Sequence, residues 1–134
     1  MAAHRLDLRV YYEDTDLAGI VYYANYLKFL ERGRTEALRA VGVDQSAMKA
    51  GGLVFAVTRV EIDYRRSARF DDLLTVETAL SRLGGASVEM VQRVLRGDET
   101  LAPARVRVAC MTPEGRPARM PDPVRAALAR LPGA

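Results

Sequence analysis

The sequence predicts an α+β domain in which one long helix packs against a mostly antiparallel sheet. Apolar residues recur with helical spacing from Ala24 to Val41, and most of the chain from Leu53 to Thr112 alternates in the manner of strands. A chain of 134 residues can form one domain with its own core and is too short for two ordinary ones. We therefore expect a single domain over residues 1–134.

Four further patterns flank the long helix in the sequence. Apolar and polar residues alternate from Leu6 to Tyr12, which predicts a half-buried strand, and the polar run that ends at Gly19 predicts a loop. A short helix is expected from Asp44 to Ala50, before two glycines. Near the C-terminus, Asp122 is expected to cap a last helix with Pro123 at its first position.

The strands are expected to follow one another along the chain. The segment from Leu53 to Tyr64 loses its alternation near Arg59, which indicates a bulge. The segments 73–83 and 86–96 are separated by a glycine pair and should form an antiparallel hairpin. In the last strand, Val106, Val108 and Cys110 should face the core, while the residues between them face water.

Composition excludes several classes of protein. Twenty basic and seventeen acidic residues give a pI near 9.3, but the arginines are scattered and no aromatic residues alternate with a basic stripe, so we expect no nucleic-acid partner. No apolar run is long enough to span a bilayer, and the first seven residues lack the apolar core of a signal peptide, so a cytoplasmic location is expected. One cysteine and one histidine cannot assemble a zinc site, and we expect no metal.

The loop before the long helix is the candidate reaction centre. Glu13, Asp14 and Asp16 lie within four positions, and the apolar residues 20–23 follow where a solvated loop should be polar. Carboxylates near a helix start are common because the exposed amides favour negative charge there. A carboxylate next to an apolar wall and unpaired amides can also carry out chemistry.

The run from Arg9 to Tyr26, RVYYEDTDLAGIVYYANY, resembles the opening signature of the 4-hydroxybenzoyl-CoA thioesterase family. It is most similar to the branch of acyl-CoA thioesterases associated with the bacterial Tol-Pal system. The resemblance continues through residues 29–36, 71–78 and 104–110, and so covers nearly the whole chain.

This resemblance implies a hotdog fold, in which a bent five-stranded antiparallel sheet wraps around the long helix. It also implies an active site shared between subunits, and hence a homodimer at least, with a homotetramer as the expected assembly. The expected substrate is a short-chain or aromatic acyl-CoA, and no cofactor is expected because coenzyme A is part of the substrate. Asp16 corresponds to the catalytic carboxylate, acting as a nucleophile or as a base for water. The backbone N–H of Tyr23 corresponds to the donor that stabilises the thioester oxygen, and Gly19 allows close approach of the substrate.

Binding of the coenzyme A phosphates is less well defined by the sequence. Aromatic-substrate members of the family carry basic residues just before a serine that aligns with Ser87, but this chain has Gly84-Gly85-Ala86 there. By charge, the candidate phosphate ligands are Arg59, Arg65, Arg66 and Arg82. Ser87 is a further candidate contact for the substrate.

Other activities find little support in the sequence. There is no Gly-x-Ser-x-Gly elbow, and the only histidine, His4, lies near the N-terminus, where we expect it to be exposed. A catalytic triad and a histidine-dependent hotdog dehydratase are therefore disfavoured. The remaining alternative is a non-catalytic module that binds acyl-CoA or acyl carrier protein.

Overall fold

The computed structural model describes residues 3–134 as one antiparallel sheet with a long helix on it. Met1 and Ala2, the first two of the seven residues that were predicted to form no signal peptide, lie outside the described residues. The strands are β1 (His4–Arg9), β2 (Val54–Ile62), β3 (Leu73–Leu83), β4 (Ser87–Arg96) and β5 (Glu99–Met111). The helices are α1 (Asn25–Ala40), α2 (Gln45–Ala50) and α3 (Asp122–Leu128).

The five strands lie in the order β1-β3-β4-β5-β2, and every neighbouring pair is antiparallel. The predicted hairpin is confirmed as β3 and β4, and the register of β2 shifts between Val57 and Arg59, where the bulge was predicted. In β5 the side chains of Val106, Val108 and Cys110 are buried, as expected. Cys110 is fully buried and is therefore an apolar core group, and this burial raises the pKa of its thiol.

Helix α1 lies against β1, β3 and β4. Its apolar stripe supplies Phe29 and Leu30, both fully buried, to a core cluster that includes Leu74 and Val76 of β3. Gly33 lies where the helix comes nearest to the sheet, because a Cβ there would stand 2.5 Å from Val76 Cγ1. The absence of a side chain at this position therefore sets how closely α1 approaches β3.

The structure corrects two boundaries. The first strand ends at Arg9 instead of Tyr12, because the Asp14 carboxylate accepts the Tyr11 N–H at 2.8 Å and turns the chain into a 3₁₀ turn over Tyr12–Asp14. Asp122 is the first residue of α3 and not its cap. Pro121 takes the cap position with an extended backbone, φ −57° and ψ 146°, and its carbonyl accepts the Arg125 N–H.

His4 is half-buried in β1, opposite Thr78, and is not the exposed residue that was expected. It lies at the end of β1 remote from the acidic loop, five residue-to-residue steps of extended chain, about 17 Å, from Arg9. Within one chain this histidine is therefore not brought to the acidic loop.

The turn before β3 carries a buttressed ion pair. Asp72 Oδ2 accepts the Arg69 N–H at 2.9 Å and an Arg96 Nη1–H at 2.7 Å. Burial alone would raise the pKa of Asp72, but the Arg69 N–H and the Arg96 guanidinium outweigh it and hold the pKa below its usual range. Asp71 is the left-handed residue of the turn, with φ 73°. Both aspartates therefore have a structural role in this turn.

The pair predicts an acid-dependent loss of stability. Because the folded pKa of Asp72 is lowered, its stabilising contribution is present above the unfolded value, 3.8, and is lost as the pH falls through the folded pKa. Asp72→Asn should lower the free energy of unfolding at pH 7 by about 1 kcal/mol. Urea titrations should show this difference shrinking at acid pH, whereas Asp98→Asn in an exposed turn should show little effect at either pH. A difference that stays constant with pH would contradict the ion-pair account.

Candidate active site

Asp16 lies in a tight loop that closes on itself between the 3₁₀ turn and α1. Its N–H donates to the Ile20 carbonyl at 2.9 Å, and its own carbonyl accepts the Gly19 N–H at 2.9 Å. Gly19 has φ +80°, a left-handed conformation that glycine adopts without strain. Thr15 and Val21 form a bridge at the base of the loop. The backbone of Asp16 is therefore fixed although the loop lies at the surface.

The Asp16 carboxylate is exposed and only partly engaged. Oδ1 accepts the Ala18 N–H at 2.9 Å, which orients the side chain along the loop. Among residues 3–134 no donor contacts Oδ2. One oxygen thus holds the carboxylate in place, while the other remains available to a water molecule or an electrophilic carbon.

The backbone before α1 offers unpaired amides. The helix has no side-chain cap, and its first residue, Asn25, donates its N–H to the Tyr22 carbonyl at 2.8 Å. Within the described chain the Tyr23 N–H donates to no acceptor. A free amide at this end of a 16-residue helix lies at the positive end of the helix dipole. It can therefore stabilise negative charge on an approaching oxygen.

Aromatic residues surround this segment. The ring of Tyr23 lies 5.0 Å from that of Tyr22 and 6.1 Å from that of Tyr64, and the Tyr64 hydroxyl donates to the Tyr23 carbonyl at 2.9 Å. Buried Tyr26 accepts the Ala68 N–H through its hydroxyl at 3.0 Å. Tyr22, Tyr23 and Tyr64 are 45%, 62% and 46% exposed, so they form an aromatic surface beside the acidic loop.

The segment between β2 and β3 completes the surroundings of the loop. Val21 donates its N–H to the Ala68 carbonyl at 2.8 Å, and Ile20 forms a bridge with Arg69. Exposed Arg65 and Arg66 lie on the same segment, two to three residues before Ala68. This connection places two of the predicted phosphate ligands on the segment that contacts the Asp16 loop.

The other predicted contacts lie elsewhere in the same chain. Arg59 is exposed on β2 and pairs with Glu61 at 2.6 Å. Arg82 and Ser87 lie at the turn between β3 and β4, whereas the opposite end of β3, at Leu73, pairs with Arg9 beside the acidic loop. Eleven residues of strand, a contour of about 35 Å, separate these two ends. Arg82 and Ser87 are therefore not brought to Asp16 within one chain.

A cavity of about 420 Å³ opens between α1 and the sheet. Its floor is apolar and includes Phe55, Val60, Met90 and Val108, while its α1 side begins at Leu27 in the first turn of the helix. The rest of the α1 side is formed by Lys28, Leu30, Glu31, Arg34, Thr35 and Leu38. The cavity thus combines an apolar floor with a charged rim and starts one helical turn beyond Tyr23.

Asp14 and Asn25 are parts of the site that the sequence did not reveal as such. Asp14 is 5% exposed and Asn25 8% exposed, and the Asn25 side-chain amide donates to Asp14 Oδ1 at 3.0 Å. The signal in the sequence was the second carboxylate of the acidic loop together with an asparagine at the helix start. Alternation alone could not show that these residues are buried against each other.

In residues 3–134 no helix has the length and apolar character needed to cross a bilayer. The same residues contain no cluster of three or more His, Cys, Asp or Glu side chains that could hold a metal ion.

Comparison with known proteins identifies the class. Residues 10–128 match the Thioesterase-like superfamily. The chain is 44% identical over 126 residues to the acyl-CoA thioesterase YbgC of Haemophilus influenzae, covering 92% of this chain and 93% of that one. It is 41% identical over 110 residues to the acyl-CoA thioester hydrolase YbgC of Escherichia coli O6:H1, covering 81% and 82%. The crystal structure of a probable thioesterase from Bartonella henselae has a TM-score of 0.87 and 44% identity, with coverage of 90% and 100%.

The bent sheet around α1 is accordingly the hotdog fold, and the protein is a thioester hydrolase. The chain belongs to the Thioesterase-like superfamily, as the motif around Asp16 implied.

Proposed function

We propose that the protein hydrolyses a short-chain or aromatic acyl-CoA to the free acid and coenzyme A, with Asp16 as the catalytic carboxylate. The observation that carries this proposal is the Asp16 side chain itself, which is exposed, is oriented through one oxygen and has its other oxygen free of donors within residues 3–134. The relatives' names support acyl-CoA as the substrate class.

Two chemical routes use the same carboxylate. As a nucleophile, Asp16 Oδ2 attacks the thioester carbon, coenzyme A leaves as the thiolate, and water hydrolyses the resulting anhydride. As a general base, Asp16 takes a proton from water while the hydroxide adds to that carbon and the thiolate leaves. In both routes negative charge develops on the thioester oxygen, where the Tyr23 N–H is the proposed donor. Thiolate leaves without needing a strong acid, so neither route requires a histidine or a cofactor.

Substrate binding is proposed to use the cavity and the surrounding basic residues. The apolar floor beneath α1 suits the hydrocarbon of the acyl group, and the absence of a side chain at Gly19 leaves room for the pantetheine arm beside Asp16. Arg66 and Arg65 are the proposed phosphate ligands, because they lie on the segment that contacts the loop. Arg82 and Ser87 can contribute only if a second subunit brings them to the site, and Arg59 is a further candidate ligand on β2.

We propose a homodimer at least, with a homotetramer as the expected assembly, and the distance of Arg82 and Ser87 from Asp16 within one chain supports this proposal. The outer edge of β2 has no neighbouring strand among the described residues, and exposed Val57 lies on it beside the bulge. An unpaired strand edge is the natural place for a second copy to add its own strand. A cytoplasmic location remains a prediction from the sequence.

The test is the release of free thiol from acyl-CoAs of graded chain length and aromatic character. The protein is first separated by size, and activity is expected in a fraction whose mass is a multiple of the 14.8 kDa chain. Heat-unfolded protein provides the background rate. Turnover confined to short or aromatic thioesters would support the proposal, whereas binding without turnover on any thioester would favour the non-catalytic module.

A further inference from the structure

The hydrogen bonds around Asp14 join the two halves of the proposed active site. Asp14 Oδ2 accepts the Tyr11 N–H at 2.8 Å and Oδ1 accepts the Asn25 side-chain amide at 3.0 Å, so both oxygens are engaged. Its backbone carbonyl accepts the Tyr22 N–H at 2.8 Å. Asp14 is 5% exposed, so its carboxylate is buried, unlike that of exposed Asp16. A buried carboxylate with this arrangement has no place in either hydrolytic route.

The same contacts determine the direction of the Tyr23 amide. The Tyr22 carbonyl accepts the Asn25 N–H, and in a trans peptide the Tyr23 N–H must point the opposite way. Asn25 is held in turn by Asp14 through its side chain. The orientation of the free donor thus depends on a chain of contacts that ends at Asp14.

Asp14 also fixes the start of the Asp16 loop. Only Thr15 separates the two aspartates, and Thr15 is held by its bridge to Val21 and by its N–H donating to the Tyr12 carbonyl. A displacement of Asp14 would therefore move the base of the loop and the helix start relative to each other.

We propose that the buried Asp14–Asn25 pair is a positioning device that holds the Asp16 carboxylate and the Tyr23 amide in their mutual geometry for hydrolysis. This inference rests on the proposed function. Neither member is a catalytic residue, because each acts through backbone that it holds. Misplacement of reacting groups by about 1 Å can cost about 100-fold in rate, so a loss of that size is expected when the pair is broken.

The test compares Asp14→Asn, Asn25→Asp and the double exchange by steady-state kinetics. Asp14→Asn places an amide group against the Asn25 amide or the Tyr11 N–H, so kcat should fall about 100-fold with KM little changed. In the double exchange, the amide at position 14 can accept from Tyr11 and donate to the carboxylate at position 25. At least about tenfold of kcat should return.

Controls separate positioning from folding and from the function itself. Asp44→Asn changes an exposed aspartate that accepts the Ala47 N–H at 3.0 Å, and it should leave kcat unchanged. If Asp14→Asn does not fold, Asn25→Ala breaks the same contact while leaving Asp14 bonded to Tyr11, with the same loss of kcat expected. Wild-type kcat in a folded single variant, or a double exchange that restores the melting temperature but not kcat, would overturn the inference. A wild-type chain that turns over no thioester would overturn the proposed function and this inference together.

Discussion

Asp16→Asn is expected to lower kcat on the best acyl-CoA at least about 100-fold, because the amide can neither attack the thioester carbon nor take a proton from water. The substitution keeps the oxygen that accepts the Ala18 N–H, so the loop and the melting temperature should be preserved. Thiol release by the purified variant, at the same oligomeric mass as the wild type, measures the effect.

Tyr23→Ala provides the contrasting variant. It removes an exposed ring but leaves the main-chain N–H that is proposed to bind the thioester oxygen, so most of the wild-type turnover should remain. Equal turnover by Asp16→Asn and the wild type would refute the assigned role of the carboxylate. Complete loss of activity in Tyr23→Ala would instead assign the chemistry to the tyrosine side chain.

Gln92→Leu is expected to destabilise the fold by about 3 kcal/mol, because it leaves polar groups in the core without partners. Gln92 is fully buried on β4, and its Nε2 donates to the Leu30 carbonyl at 3.0 Å and to Thr78 Oγ1 at 2.9 Å. Its Oε1 accepts from Arg34 at 3.1 Å, and burial lowers the pKa of that guanidinium. One side chain thus ties α1 to two strands.

Urea unfolding at pH 7 measures this effect, and the slope of the transition should not change. Gln45→Leu, on the exposed face of α2, is the matched control and should change the free energy of unfolding little. Adding Thr78→Val to Gln92→Leu removes one of the stranded polar groups, so the double variant should lose less than the sum of the two single losses. A strictly additive double variant would contradict the shared network.

Local patterns predicted the elements well but two of their ends wrongly, and the family resemblance predicted the fold. The glycine pair before Ser87 and the alternation on both sides of it were sufficient to predict the β3–β4 hairpin. The predicted end of β1 was wrong because the alternation of apolar residues continues through Tyr12. The chain turns earlier because the Asp14 carboxylate binds the Tyr11 N–H. The predicted cap of α3 was wrong because Pro121, and not Asp122, occupies the cap position.

The candidate site shows the same division. The signature around Asp16 identified the loop and the helix start from residues that are adjacent in sequence. Burial of Asp14 against Asn25 requires the ten residues between them to fold back, and no periodicity in the sequence indicates this. Arg82 and Ser87 are separated from Asp16 because they lie at the opposite end of β3 from the acidic loop, a placement that their charge and composition do not encode.

The close approach at Gly33 bears on how substrate preference can diverge among relatives of this chain. Because Val76 already lies against the bare helix backbone, α1 cannot sink further into the sheet, and a larger residue at position 33 would have to displace it outward. This contact therefore sets the distance between α1 and the sheet, and with it the height of the cavity between them. With the acyl group bound in this cavity, as proposed, changes in the acyl group accepted are expected from exchanges at lining positions such as Leu27, Phe55 and Met90. Because the position of α1 is fixed, the size of these side chains determines the space left for the substrate.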